Sequence, residues 1–178
     1  AEFNPDDEHT FIISARVGGA NQDLFIDNLV ITTETNEPIR NGNLYVSEFC
    51  ARNDSTLEDE DKETSDWIEI HNGKDSSVNL EGYFLTDNTE DLTKWEFPAV
   101  TLGSNEYLVI FASGKNRRDP NSELHSNFSL AGENGQLAFI AADEKTILSE
   151  FNYEEQVEDV SYGELGTNRT FGYFDNPT

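Results

Sequence analysis

Trp67-Ile-Glu-Ile-His71, closed by Asn72-Gly73, is the stretch from which the fold reads most directly. Its side chains alternate with a period of two, which suits a strand with one face in a core and one face in water. Asn-Gly then reverses the chain, because both residues tolerate left-handed backbone angles. Upstream, Leu44-Tyr-Val-Ser-Glu-Phe-Cys50 has the same character. Downstream come Val78-Asn-Leu80, Tyr83-Phe-Leu85, Thr93-Lys-Trp-Glu-Phe97 stopped by Pro98, and Tyr107-Leu-Val-Ile-Phe-Ala112. Asn127-Phe-Ser-Leu130, Gly135 to Ala141, Ile147 to Phe151 and Asp159 to Tyr162 continue the series. No segment sustains a 3.6-residue apolar stripe, and turn residues recur between the short runs, so the chain reads as all-β, an antiparallel sandwich. The unbroken apolar run Tyr107 to Ala112 is expected to be a central strand buried on both faces.

Two further segments flank this series. Phe11-Ile-Ile-Ser-Ala-Arg-Val17 and Leu24 to Thr32 are joined through Gly18-Gly19, a hairpin signal. The polar break around residues 35–43, with Pro38 and Gly42, reads as a linker, and residues 164–178 read as an extended tail or a second linker.

Composition narrows the function. Lys and Arg number 11 against 36 Asp and Glu, a formal charge of −25, yet 11% of the residues are aromatic. Disordered acidic tracts rarely carry so many rings, so a folded domain with an anionic surface is expected. Nucleic-acid binding needs a cationic footprint and is not expected. No run approaches the roughly 18 apolar residues of a membrane helix, so membrane insertion is not expected. Ala1 to Thr10 lack a cationic start followed by an apolar run, so no signal peptide is read within this sequence. Cys50 is the single cysteine, which excludes an internal disulfide and a cysteine zinc cluster.

Seven blocks, in order, carry a resemblance. They are Leu44-Tyr-Val-Ser-Glu-Phe, Asp66 to Gly73, Leu80-Glu-Gly-Tyr-Phe-Leu-Thr-Asp87, Thr93 to Pro98, Tyr107 to Lys115, Leu124-His-Ser-Asn-Phe128 and Asp159-Val-Ser-Tyr-Gly163. Over residues 44–163 the chain resembles a lamin tail domain of the bacterial type. The resemblance implies an immunoglobulin-like antiparallel β-sandwich, here with an N-terminal β-hairpin. It also implies a host that is a secreted or cell-surface bacterial protein, with the module serving in protein or surface interactions. The hairpin in residues 1–34 is similar to the closing strands of a concanavalin or laminin-G-like domain. Its apolar strands could dock on the sandwich or allow self-association.

In the loop from Asn53 to Asp66, Asp59, Asp61 and Glu63 alternate, with Asp66 beyond, and such carboxylates can converge on calcium. The EF-hand glycine and twelfth-position glutamate are missing, and a solvated charge run is the bland alternative. Asp87-Asn-Thr-Glu-Asp91 reads first as a self-capping turn. His9, His71 and His125 share no metal-ligand spacing, and G-x-S-x-G is absent, so they read as structural or exposed. Trp67 and Trp95 read as core before they read as a sugar platform. Lys115-Asn-Arg-Arg118, the one basic cluster, reads as an internal offset to nearby acids, for example those between Glu150 and Glu164, with a grip on a phosphate, a sulfated glycan or an acidic partner as the alternative.

The resulting expectation is a non-catalytic binding or structural module with a protein, cell-surface or polysaccharide partner. The alternative is a carbohydrate- or calcium-binding accessory module of an extracellular hydrolase. The charge makes its own prediction. A chain of 20.0 kDa exposes on the order of 9,000 Å², so its acids lie about 15 Å apart, beyond the roughly 8 Å Debye length at physiological salt. At low salt the screening length triples and the surface repels itself. The melting temperature is therefore expected to rise between millimolar and half-molar NaCl; a flat profile would show that the acids are already neutralised internally.

Overall fold

The computed structural model describes residues 38–166 and 170–174. Among these residues run thirteen strands and no helix. In chain order they are β1 (Ile39–Arg40), β2 (Leu44–Cys50), β3 (Asp66–Asn72), β4 (Val78–Asn79), β5 (Phe84–Thr86), β6 (Trp95–Glu96) and β7 (Thr101–Leu102). They continue with β8 (Tyr107–Ala112), β9 (Leu124–His125), β10 (Gly135–Ile140), β11 (Ile147–Tyr153), β12 (Ser161–Leu165) and β13 (Thr170–Phe174). The expected hairpin in residues 1–34 lies outside the described residues.

Two sheets face each other. One has the order β1-β11-β10-β5-β6 and the other β13-β12-β2-β3-β8-β9, while β4 and β7 form a small ribbon. The expected sandwich is present, and every pairing but one is antiparallel: β9 joins β8 in parallel, Ile110 opposite Leu124. Period-two alternation sorts the side chains. Val46, Phe49, Ile68, Ile70 and Ile110 from one sheet meet Leu85, Leu137, Phe139, Phe151 and Tyr153 from the other in one buried cluster. Each such side chain, fully buried, contributes about 1.5–3 kcal/mol.

Phe49 is the joint between the layers. Its ring lies 5.3 Å from Phe151 and 4.8 Å from Tyr153, both on β11, and 5.9 Å from Tyr162 on β12. Just before it, the β2–β3 register shifts between Val46 and Glu48, leaving Ser47 as a bulge. A bulge frees a ladder donor that must find another partner. Here the Val46 amide donates to Ser149 Oγ of the facing sheet, 3.0 Å away. β12 lies against the bulge because position 163 is glycine. A Cβ there would stand 2.2 Å from the Ser47 carbonyl oxygen, which is backbone and cannot step aside.

Several local expectations change. Ile39–Arg40, inside the segment read as a linker, pairs with β11. Thr170–Phe174, inside the segment read as a tail, pairs with β12. Both strands are short or bounded by turn residues, so their alternation is hard to see in sequence. β8 is not buried on both faces throughout: Tyr107 is 58% exposed, and full burial begins at Ile110. The outward face of β3 is not uniformly wet either. Trp67 is fully buried there beside Cys50 and Phe111, outside the main core, with Leu57 from the acidic loop laid over it. Its indole N–H donates to Thr56 Oγ1 at 3.3 Å. Trp95 does belong to the main core. Replacing Trp67 with Ala should cost about 3–5 kcal/mol in chemical denaturation and should release the loop to limited proteolysis. Wild-type stability would mean that Trp67 contributes nothing as the loop's seat.

Candidate functional site

The acidic loop is a folded object. The Asn53 side chain holds its neck: Oδ1 accepts the Thr56 and Leu57 amides at 2.9 and 3.2 Å, and Nδ2 donates to the Leu57 and Ser65 carbonyls at 2.7 and 2.8 Å. Asp59 is 1% exposed, and its Oδ1 accepts the amides of Asp61 and Glu63 at 2.9 and 3.0 Å. The carboxylates of Asp59, Asp61 and Glu63 do converge, within 4.8 Å of one another. The Lys115 ammonium sits among them, 2.8 Å from Asp61, 2.9 Å from Glu63 and bonded to Asp59. Arg117 grips Glu60 and Asp61 at 2.9 and 2.6 Å. Hydrogen bonds from Arg117, then Lys115, draw the Asp61 carboxyl down to about 2. Burial opposes the charge on Lys115, but its bonds to the three carboxylates outweigh this and raise its pKa.

Asp66, the fourth residue of the calcium expectation, is elsewhere. Its Oδ1 accepts the Asn53 amide at 3.3 Å, it also takes a backbone bond from Leu130, and burial pushes its pKa up to about 6. The donor set thus fits an ammonium, because calcium requires six to eight oxygens and would have to displace Lys115 first. The basic cluster offsets acids as expected, but different ones. Its partners are the 59–63 loop and, through Arg118, Glu96 at 3.1 Å; the segment between Glu150 and Glu164 pairs instead through Arg40 with Glu164 and Arg52 with Glu155.

The other sequence candidates fall into place. The segment 87–91 is a turn: Asn88 Oδ1 accepts the Glu90 amide at 3.0 Å, and the Asp91 amide donates to the Asn88 carbonyl at 2.9 Å. His125 is fully buried, its ring stacked on Phe111 and its Nδ1 2.9 Å from Ser113 Oγ. Nε2, which an acid orients in a serine–histidine–acid relay, has no hydrogen-bond partner among the described residues. Burial, then the charges of Lys115 and Arg117, lowers the His125 pKa.

A groove that sequence reading missed lies on the outward face of β2, β3 and β8, beyond the reach of the loop. Register sets its floor. Tyr45, His71 and Tyr107 stand side by side, and the next rung places Glu48 opposite Glu69. His71 stacks on Tyr107 at 4.2 Å and meets Tyr45 edge-on at 5.3 Å, with Nδ1 2.9 Å from the Tyr45 hydroxyl. Burial, then the nearby Arg40 charge, lowers the His71 pKa. Glu48 and Glu69 are 4% and 7% exposed; Ser161 Oγ donates to the first and Ser47 Oγ to the second at 2.6 Å. Glu164 and Phe174 close one wall of a cavity of about 560 Å³. At its rim the Arg40 guanidinium lies 3.5 Å above the Tyr45 ring and pairs with Glu164. Tyr45, Glu69 and His71 follow the period-two alternation, whereas Tyr107 opens a run read as buried on both faces and Glu48 turns outward only through the register shift before it. The bulge at Ser47 and strand β13 assemble them, and neither was visible.

A family model described as Lamin Tail Domain matches residues 37–164. A search of curated proteins returned no match.

Two substitutions follow from the loop. Lys115→Met strands the buried Asp59 carboxylate and should cost on the order of 3 kcal/mol, recovered in part by adding Asp59→Asn. For Asp66, the folded state binds the proton more tightly than the unfolded chain, whose value is near 3.8. The stability it contributes is present below that value and lost as pH rises through about 6. Asp66→Asn should therefore melt higher than wild type at pH 7.5 and level with it near pH 4, as read by thermal denaturation across pH.

Proposed function

The chain belongs to the lamin tail domain family, and from that membership we infer that it is a non-catalytic interaction module whose contact surface is the groove over Tyr45, His71 and Tyr107. The family fold is immunoglobulin-like and commonly serves protein–protein contact. The observation that carries the choice of surface is the outward rung of three adjoining rings, one pair stacked and one edge-on, beside a walled cavity. A ring left 58% exposed, as Tyr107 is, offers contact area at low cost in side-chain entropy. Tyr173, 50% exposed and edge-on to Tyr162 at 5.0 Å, is a second outward ring on β13, but the rung of three adjoining rings is on β2, β3 and β8.

We place the module outside the cell, in a secreted or surface-attached bacterial protein. The support is the anionic surface, which a salt-containing medium screens, together with the hosts implied by the family likeness. A polysaccharide is the second reading of the same groove, because stacked rings beside carboxylates also suit a sugar face. Calcium has less support, since Lys115 occupies the carboxylate centre.

The test is a random heptapeptide display library selected on the full chain, with the enriched peptides titrated into isotope-labelled protein. Amides of Tyr45, His71 and Tyr107 should shift, and Tyr107→Ala should weaken binding at least tenfold. Shifts confined to the β4–β7 ribbon would remove the groove from the account. Shifts at the groove with soluble xylan, and none with any peptide, would transfer it to a sugar.

A further inference from the structure

We propose that β13 is a docking edge that takes up an extended segment of a partner protein as an added strand of its sheet. The segment carries apolar side chains at alternate positions, lacks acids and is basic at its ends. The edge adjoins the groove through Phe174, but it is a separate surface and does not rest on the groove reading.

The first observation is the length and make-up of the edge. Four strands end the two main sheets, β1 and β6 in one, β13 and β9 in the other. Three of them have two residues each, while β13 has five. Short edges give a stray chain little to pair with. β13 lacks that protection and the others too. Its five rungs with β12 run without a register shift, so no bulge turns it away. Thr170-Phe-Gly-Tyr-Phe174 holds no charge and no proline, in a chain of which 26% is charged. Along its free side alternate residues turn their N–H and C=O away from the sheet. Among the described residues no strand pairs with that side.

The second is the side-chain layer. Alternation sends Phe171 and Tyr173 to one face of β13 and Phe174 to the other. Phe171 meets Phe151 of the facing sheet at 5.7 Å, whereas Tyr173 meets Tyr162 at 5.0 Å and is left half in water. A cavity of about 250 Å³ lies beside it, walled by Pro38, Phe151, Tyr153, Tyr162 and Tyr173. The apolar layer therefore runs to the last strand without being closed. A strand added to β13 sets every second side chain beside Tyr173 and toward this cavity, which selects alternate apolar residues.

The third is charge complementarity. Main-chain pairing is nearly indifferent to sequence, so the field does the selecting. A net −25 repels a second copy of the chain and any acidic segment, and draws one with basic ends. Glu154, on the wall of the same cavity, adds to that bias locally.

The experiment adds to the full chain a capped heptapeptide of alternating Thr and Val between terminal lysines, and the same peptide methylated at every backbone nitrogen. Methylation keeps side chains and charge and removes the main-chain donors. With the first peptide, alternate amides of Thr170–Phe174 should exchange hydrogen at least tenfold more slowly; with the second they should not. Tyr173→Ser should weaken binding at least fivefold, while Glu133→Gln, an exposed acid outside the edge, leaves it unchanged. Tyr173 is half exposed, so its replacement leaves the fold in place. No slowing, equal slowing by both peptides, or slowing confined to other strands overturns the proposal. Protection of those amides already present in the dilute, peptide-free chain overturns it as well, because the edge is then covered from within. Protection that rises with protein concentration alone gives the edge to a second copy and overturns the partner. Display-selected peptides that shift Tyr45, His71 and Tyr107 leave the groove reading standing whatever happens at β13.

Discussion

The contact of Phe49 with Phe151 and Tyr153 is the constraint on which the rest of the sandwich depends. It joins the middle of one sheet to β11 of the other, and its position is set by the bulge at Ser47 two residues earlier. Without the extra residue, Phe49 would point outward and Glu48 would point into the core, since a one-residue slip exchanges the two faces of a strand. The bulge leaves the Val46 amide to Ser149 of the facing sheet and brings its carbonyl against Gly163. One inserted residue therefore fixes strand facing, the polar link between layers and the approach of β12. The groove is a by-product of the same event, because it is the bulge that puts Glu48 level with Glu69.

The strands with long alternating or continuous apolar runs were legible. Leu44–Cys50 and Tyr107–Ala112 fall where the pattern places them, and Trp67–His71 extends by one residue at each end. Three of the strands that were missed, Ile39–Arg40, Thr101–Leu102 and Leu124–His125, have two residues each. Two residues hold no periodicity; such strands exist because a neighbour presents an edge. Asn127 to Leu130 looked like a strand and contributes one bridge, Ser129 to Ser113. There the chain turns on Ser126, whose hydroxyl bonds the Phe128 carbonyl at 2.6 Å.

The site was legible residue by residue and not as a constellation. The alternating acids of the 59–63 loop read either as converging ligands or as a solvated charge run, and nothing in their spacing tells that Lys115, fifty-two residues beyond Glu63 in the chain, stands among them. Asp66 was grouped with them by proximity in sequence and separated from them by facing, since it starts β3 and points to the interior side of the loop. His71 looked like a strand end beside a turn. Only the pairing of β3 with both β2 and β8 puts a tyrosine on each side of it. Pairing partners are long-range facts, and a local pattern does not encode them.

The lysine held among three carboxylates has a use at the bench. Acylating reagents attack the neutral amine, and at Lys115 the ammonium form is both favoured and enclosed by its partners. Lys62, by contrast, is 79% exposed at its side chain. In a pulse of such a reagent the open lysine would react at once and Lys115 only when the loop lifts off its tryptophan seat. Its rate of modification, resolved by peptide mass, is a native clock for loop opening.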